Sequence, residues 1–119
     1  IDLVFRYRGR YYLLDWKSNH LGDHYRDYRP ERLQQIMEES GYVLQYHLYT
    51  VALDQWLRSR LGKDYHYQDH FGGVYYLFIR GIQPRSGRPA LDTPTGIYYT
   101  KPSLEVIRKW ADHLIAEDK

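Results

Sequence analysis

The stretch IDLVFRYRGRYYLLDWK, residues 1–17, contains two apolar, aromatic-rich segments separated by Arg8 and Gly9. Segments of this kind with period-two alternation are typical of β-strands. Gly9 readily adopts the positive φ that a tight hairpin turn requires. The stretch therefore predicts a β-hairpin whose strands lie at residues 1–7 and 11–17.

A loop of two or four residues at this turn pairs positions whose numbers sum to seventeen. Asp2 then lies directly opposite Asp15, and Lys17 projects from the same sheet face because side chains alternate along a strand. Directly opposed carboxylates repel each other, so a positive group is expected between them. Two interpretations remain open: Lys17 neutralises the pair, or a hard divalent cation binds both carboxylates. A three-residue loop would break this register.

The composition is that of a globular domain that can bind a polyanion. Hydrophobic residues make up 43% of the 119 positions, which is enough for a core, and the net charge is +2 at pH 7. The chain has no cysteine, which excludes disulfides and thiolate zinc sites and fits a reducing compartment such as the cytoplasm. No segment has the length of a membrane span or the pattern of a signal peptide, so no membrane partner is expected.

The remaining pattern predicts an α/β fold with a mixed β-sheet and helices packed on it, in the order β-β-α-α-β-β-α. Pro30 suits the first turn of a helix, and Gly41 ends or kinks it. The unbroken apolar segment VYYLFIR, residues 74–80, is typical of a central strand covered on both faces. The other predicted elements are helices at 42–61 and 104–116, loops at 63–71 and 83–94, and a short edge strand at 96–100.

The helix predicted at 42–61 has two faces of interest. Gln45 and Tyr49 are spaced i, i+4 and share one face, which composition alone interprets as a half-buried helix surface. A separate apolar stripe is predicted to face the sheet. The residues of this stripe are Leu44, Leu48, Val51, Ala52 and Trp56.

Other candidate chemistry is weak. His66, Asp69 and His70 superficially offer zinc ligands, but without cysteine partners or helical spacing the segment is interpreted as a solvated loop. The fourteen tyrosines could stack on exposed bases, although most lie in strand patterns where tyrosine is favoured. The absence of a phosphate-binding glycine loop and of a nucleophile elbow gives no support to a nucleotide-cofactor enzyme or a serine hydrolase.

An aspartate on one strand followed by D-x-K at the end of the next resembles the core of the PD-(D/E)XK nuclease superfamily, here Asp2, Asp15 and Lys17. Longer segments, IDLVFR-x-x-GRYYLLDWKSN, LQYHLYTVAL and HFGGVYYLFIRG, are similar to the C-terminal nuclease domain of RecB subunits of bacterial helicase-nucleases (exodeoxyribonuclease V). The resemblance extends from the first residue to about residue 98. It implies a restriction-endonuclease-like core and metal-dependent hydrolysis of DNA phosphodiesters in double-strand break repair and recombination.

The resemblance also implies a role for each site residue. Mg²⁺, with Mn²⁺ as a substitute, would be bound by Asp2, Asp15 and the Trp16 backbone carbonyl. Lys17 would orient the attacking water or stabilise the charge that develops on the phosphate. The Q-x-x-x-Y element typical of the family falls on Gln45 and Tyr49, which would flank the site. The implied partners are DNA, the RecC and RecD subunits of the heterotrimer, and the recombinase RecA.

The chain departs from the family pattern before the first strand. The family has an upstream helix that contributes a histidine ligand, and a glycine before the first aspartate; both would lie before Ile1. The chain is therefore expected to be a single nuclease domain, residues 1–119, in fragment form, which alone binds metal weakly, cuts DNA poorly and self-associates. Two rivals remain: a non-catalytic DNA-binding or scaffold module of the same fold, and a stand-alone RecB-like repair nuclease.

Overall fold

The structure is a computed structural model that describes residues 1–84 and 94–117. It contains one mixed four-stranded sheet, in the order β1-β2-β3-β4, with helices packed on it. The predicted α/β class and the order of the long elements are confirmed. The strands are β1 (Leu3–Tyr7), β2 (Arg10–Lys17), β3 (Phe71–Phe78) and β4 (Ile97–Thr100); the helices are α1 (Pro30–Glu39), α2 (Tyr42–Leu61), α3 (Tyr67–His70) and α4 (Leu104–Glu117).

The predicted hairpin forms in the predicted register. Strands β1 and β2 pair antiparallel with residue numbers that sum to seventeen. Arg8 and Gly9 form the turn with φ angles of 51° and 79°. Two successive positive φ angles are characteristic of a type I′ turn, whose twist matches that of the hairpin. Regular pairing stops one residue short of Asp2, whose amide donates a hydrogen bond to the Leu14 carbonyl at 3.2 Å.

Strand β3 is central, as predicted, because it pairs parallel with β2 and antiparallel with β4. It begins at Phe71, three residues earlier than expected, so the predicted loop at 63–71 is wrong at its end. Gly72 permits this extension because a Cβ atom there would lie 2.3 Å from the Tyr12 ring. The strand at 74–80 was predicted to be covered on both faces, but among the described residues only one face of the sheet carries helices. Trp16 and Tyr99, on the face opposite the helices, remain exposed.

The long helices lie on the other face of the sheet. From α1, Gln34 accepts a hydrogen bond from the Tyr98 hydroxyl at 3.0 Å, and α4 packs on α2 through a stack of Trp110 on His47. The Ser103 hydroxyl accepts a hydrogen bond from the Val106 amide and so caps α4 as predicted.

Two segments were predicted as loops. Within the predicted loop at 63–71, the residues just before β3 form the one-turn helix α3. Most of the predicted loop at 83–94 lies outside the described residues. Within the described ranges, no helix combines the length and apolarity needed to cross a membrane.

The predicted apolar stripe on α2 is wrong except for Val51, since its other members are exposed. The helix instead buries polar side chains that find partners. The Thr50 hydroxyl donates to the Tyr46 carbonyl at 2.7 Å, and Asp54 accepts hydrogen bonds from Tyr65 and Arg58. Hydropathy could not identify this face because its polar groups are satisfied only in the folded chain. The residues that α2 buries are Tyr46, Thr50, Val51, Leu53, Asp54 and Leu57.

The segment that follows β2 is anchored by Tyr28. Its ring is almost completely buried against Gly81, where a Cβ atom would lie 2.1 Å from the ring. Its hydroxyl donates to the Asn19 carbonyl at 3.2 Å and accepts from the Leu21 amide at 3.0 Å. One hydroxyl therefore satisfies two backbone groups of a segment that has no regular secondary structure.

We expect Tyr28→Phe to lower the free energy of unfolding by about 1–2 kcal/mol, because it leaves these backbone groups without a partner. The matched control is Tyr25→Phe in the same turn, which should change stability by less than about 0.5 kcal/mol. Urea denaturation followed by circular dichroism measures both. Equal stability of the two variants would contradict the anchoring role of the hydroxyl.

Candidate active site at the end of β2

The C-terminal end of β2 brings together the residues that the sequence singled out. Asp15 and Lys17 point toward the helices, and Asp2 reaches them from the start of β1. Asp15 is only 4% exposed, and the Lys17 side chain is 17% exposed. Trp16 lies between them in sequence and projects to the opposite, open face. The strand thus presents one acid and one base side by side in a largely buried position.

Asp15 and Lys17 form an ion pair, with Lys17 Nζ 2.8 Å from Asp15 Oδ2. Oδ2 has no hydrogen-bond donor in the part of the chain that is described. A buried carboxylate oxygen without such a donor is costly unless a cation lies beside it. The lysine supplies that charge at 2.8 Å.

Asp2 lies at the solvent-exposed edge of this pair. Its Oδ2 accepts a hydrogen bond from the Trp16 amide at 2.9 Å. Hydrogen bonding to the Asp15 carboxyl group lowers the pKa of Asp2 most, and the bond from the Trp16 amide lowers it further. Asp2 is therefore ionised at neutral pH, and its carboxylate is held against that of Asp15. The convergence of two acids predicted from the hairpin register is confirmed.

Two tyrosines enclose the lysine. The Nζ atom of Lys17 lies 4.2 Å from the ring centre of Tyr42 and 5.5 Å from that of Tyr76. An ammonium group near aromatic rings is stabilised by the ring quadrupole. Tyr76 is the β3 residue paired with Asp15, so it belongs to the site through the sheet. Sequence analysis missed both tyrosines, because Tyr76 reaches the lysine through the pairing of β2 with β3 and Tyr42 through the packing of α2 on the sheet.

Gln45 connects α2 to the site, whereas Tyr49 lies at its margin. The Tyr76 hydroxyl donates to Gln45 Oε1 at 2.5 Å. Burial, and then the charge of Asp15, raises the pKa of Tyr76, so its hydroxyl remains protonated and donates. Tyr49 lies one turn further along the same helix face and is exposed. In the described structure it makes no hydrogen bond or ring contact with the acids or the lysine.

The oxygen donors fit a small, hard cation. Two carboxylates converge, one ionised and one with a buried oxygen lacking a hydrogen bond, and Mg²⁺ typically takes one or two carboxylates and several waters. No group of three or more His, Cys, Asp or Glu side chains in the described ranges could hold a metal ion. Any ion at Asp2 and Asp15 would therefore depend on water or a backbone carbonyl, such as that of Trp16, for its remaining ligands.

Comparison with known proteins identifies relatives along almost the whole chain. The chain is 48% identical over 107 residues, 90% of its length, to the RecBCD enzyme subunit RecB of Escherichia coli (strain K12). The subunit of the same name from Haemophilus influenzae is 47% identical over 107 residues, and that from Mycobacterium tuberculosis (strain H37Rv) 41% over 115 residues, 96% of the chain. The chain spans only 8–10% of the length of these relatives. No family model matches the chain.

We expect Mn²⁺ to bind at Asp2 and Asp15. Asp15→Asn should weaken binding at least tenfold, because the substitution removes one of only two converging carboxylates. Asp23→Asn is a control that removes an exposed carboxylate bonded to His20, and it should leave the affinity unchanged. Isothermal titration calorimetry measures the dissociation constants, and equal binding by wild type and Asp15→Asn would rule out the site.

Proposed function

Because this chain is a RecB-related domain, we propose that it is a metal-dependent DNA nuclease of a RecBCD-type enzyme in double-strand break repair and recombination. The observation that carries the proposal is the meeting of Asp2, Asp15 and Lys17 at one end of β2. The proposed cofactor is Mg²⁺, which Mn²⁺ can replace. The proposed partners are DNA, the RecC and RecD subunits, and RecA.

The acids provide the metal-binding part of the proposed mechanism. Asp2 and Asp15 would hold the ion, with the Trp16 carbonyl as a further ligand. When bound, Mg²⁺ supplies charge neutralisation at the phosphodiester and lowers the pKa of a coordinated water. The hydrogen bond from the Trp16 amide fixes the Asp2 carboxylate in advance, so less ordering is required when substrate and metal arrive.

Lys17 provides the fixed positive charge. Its ammonium group is positioned by Asp15 and by the rings of Tyr42 and Tyr76. A positive group held in a partly buried site stabilises the charge that grows on the phosphate oxygens as the nucleophile attacks in line. The ammonium group can equally orient the attacking water. Both roles require an ammonium group that is held in place before the reaction. The rings of Tyr42 and Tyr76 hold the Lys17 ammonium group in this way.

The helix α2 completes the proposed site. Gln45 is joined to Tyr76 and thereby stabilises the ring that borders Lys17. Tyr49 is exposed on the same helix face, where its hydroxyl can contact the DNA backbone.

The alternative function, a non-catalytic module of the same fold, is less consistent with the pairing of Asp15 and Lys17. Burying Asp15 beside Lys17 costs desolvation energy that apolar residues would avoid, so stability alone does not explain the pair.

We expect Lys17→Ala to lower the rate of Mg²⁺-dependent DNA cleavage by at least about 100-fold, with metal and DNA affinity changed only a few-fold. This pattern indicates a group that acts mainly in the transition state. Lys109→Ala is the control, because that lysine is exposed and pairs only with Glu105 on α4. Single-turnover cleavage of a radiolabelled oligonucleotide by the full-length subunit that carries this domain provides the rates.

Cleavage by Lys17→Ala at the wild-type rate would refute the catalytic role of the lysine. A collapse of DNA affinity with unchanged single-turnover chemistry would show instead that Lys17 is a ground-state phosphate contact. Lys109→Ala should match wild type in every measurement.

A further inference from the structure

We propose that Tyr76 is a positioning residue of the candidate active site, whose hydroxyl fixes the side-chain amide of Gln45 so that its N–H bonds face the substrate phosphate. The inference rests on the proposed nuclease function and deepens it, because it assigns Gln45 the role of a hydrogen-bond donor to the phosphate. Gln45 is then neither a metal ligand nor a hydrogen-bond acceptor for the substrate.

Tyr76 is held rigidly at the centre of the sheet. Its side chain is fully buried, and the residue pairs with Asp15 on β2 and with Tyr98 on β4. From α2, the Tyr42 ring lies 5.7 Å from the Tyr76 ring between centres, and the Tyr46 ring meets it edge to face at 6.3 Å. Strands on both sides and a helix above leave this ring little freedom. Its hydroxyl is therefore held at a fixed point beneath α2.

The hydroxyl proton of Tyr76 needs a hydrogen-bond acceptor. A buried hydroxyl without an acceptor loses the hydrogen bond that it makes to water in the unfolded chain, and this loss is costly. Among the described residues, the acceptor that it reaches is Oε1 of Gln45, at 2.5 Å. The bond joins β3 to α2 at the level of Asp15, because Asp15 is the residue paired with Tyr76.

This bond determines which way the amide of Gln45 faces. A glutamine amide has an acceptor oxygen on one side and two N–H donors on the other. With Oε1 turned toward the Tyr76 hydroxyl, Nε2 is turned away from it. The flipped amide would present Nε2 to the hydroxyl and leave the hydroxyl proton without an acceptor in the described structure. The phenol of Tyr76 thus selects one of the two amide orientations.

The Nε2 group of Gln45 remains available to a ligand. Within the described ranges it donates no hydrogen bond, since the one contact of this side chain is made through Oε1. The side chain is half-buried, and Nε2 does not belong to the buried polar atoms that lack a partner. Nε2 therefore reaches solvent, with two N–H bonds to donate.

The open side of the amide lies beside the candidate active site. Gln45 is one helical turn after Tyr42, whose ring centre is 4.2 Å from the Lys17 Nζ atom, and one turn before Tyr49, which is exposed. The amide thus lies between the enclosed ammonium group and the exposed edge of the same helix face. A phosphate oxygen only accepts hydrogen bonds, so an amide that presents N–H groups is complementary to it. The opposite orientation would set two acceptors against each other.

A double-mutant cycle tests whether Tyr76 acts through Gln45. The rates are those of single-turnover, Mg²⁺-dependent cleavage of a radiolabelled oligonucleotide by the full-length subunit that carries this domain. Gln45→Ala should lower the rate about tenfold or more. Tyr76→Phe, which keeps the ring beside Lys17 and removes only the hydroxyl, should lower it about three- to tenfold. Adding Tyr76→Phe to Gln45→Ala should cause no further loss, whereas a merely structural hydroxyl would lower the rate in both backgrounds.

The matched control for Tyr76→Phe is Tyr75→Phe. Tyr75 is the preceding residue of β3, projects to the open face of the sheet and packs on Tyr99 with ring centres 4.8 Å apart. This variant should cleave at the wild-type rate. Circular dichroism of every variant confirms that it is folded.

The direction of the amide is tested by Gln45→Glu. Glutamate still accepts the hydrogen bond from Tyr76, but it turns a carboxylate oxygen instead of an N–H group toward the phosphate. We expect this variant to cleave more slowly than Gln45→Ala, because it adds repulsion to the loss of the donor. Cleavage by Gln45→Glu at the wild-type rate or faster would overturn the proposal, and this test does not depend on the stability of Tyr76→Phe.

Failure of this inference can be separated from failure of the proposed function. Cleavage that depends on Lys17 but is unchanged in Tyr76→Phe, or losses that add in the double variant, would overturn the positioning role and leave the nuclease function standing. Absence of Mg²⁺-dependent cleavage by the wild-type subunit would refute the nuclease function and this inference with it.

Discussion

The register of β2 determines where every candidate site residue lies. This strand pairs antiparallel with β1 and parallel with β3, and its residue Leu13 is fixed in the core. A slip of one residue would turn Asp15 and Lys17 to the open face and place Trp16 under the helices. The same register brings Asp2 from β1 and Tyr76 from β3 to the acid. The site is therefore a consequence of strand pairing rather than of any single loop.

This arrangement has an electrostatic cost at Asp15. The carboxylate is buried, and one of its oxygens has an ion pair but no hydrogen-bond donor among the described residues. Buried ion pairs commonly contribute little or nothing to stability compared with apolar residues of similar size. The surrounding core, which includes Leu13 and Val74, offsets this cost. A local violation of the rules for stable packing is expected where a chain performs chemistry.

The sequence predicted the features that depend on local patterns. The hairpin turn at Gly9 and the convergence of Asp2 with Asp15 follow from alternation and turn chemistry. The buried face of α2 could not be predicted in the same way, because burial of Asp54 depends on a hydrogen bond from Tyr65, which lies beyond the end of the helix, as well as on Arg58 in the next turn. Tyr76 was likewise missed as a neighbour of Lys17, because its position requires the parallel pairing of β2 with β3. Both failures arise from contacts between separate elements, which a local sequence pattern does not contain.

The central claim is that the two carboxylates at the end of β2 form a metal site. A crystal grown with Mn²⁺ and measured at a wavelength where manganese scatters anomalously tests this claim most directly. The account predicts one anomalous peak in coordination contact with the carboxylates of Asp2 and Asp15 and with the Trp16 carbonyl. Absence of a peak at these carboxylates, with the Lys17 ammonium group still beside Asp15, would contradict it and leave the lysine as the sole counter-ion of the acids.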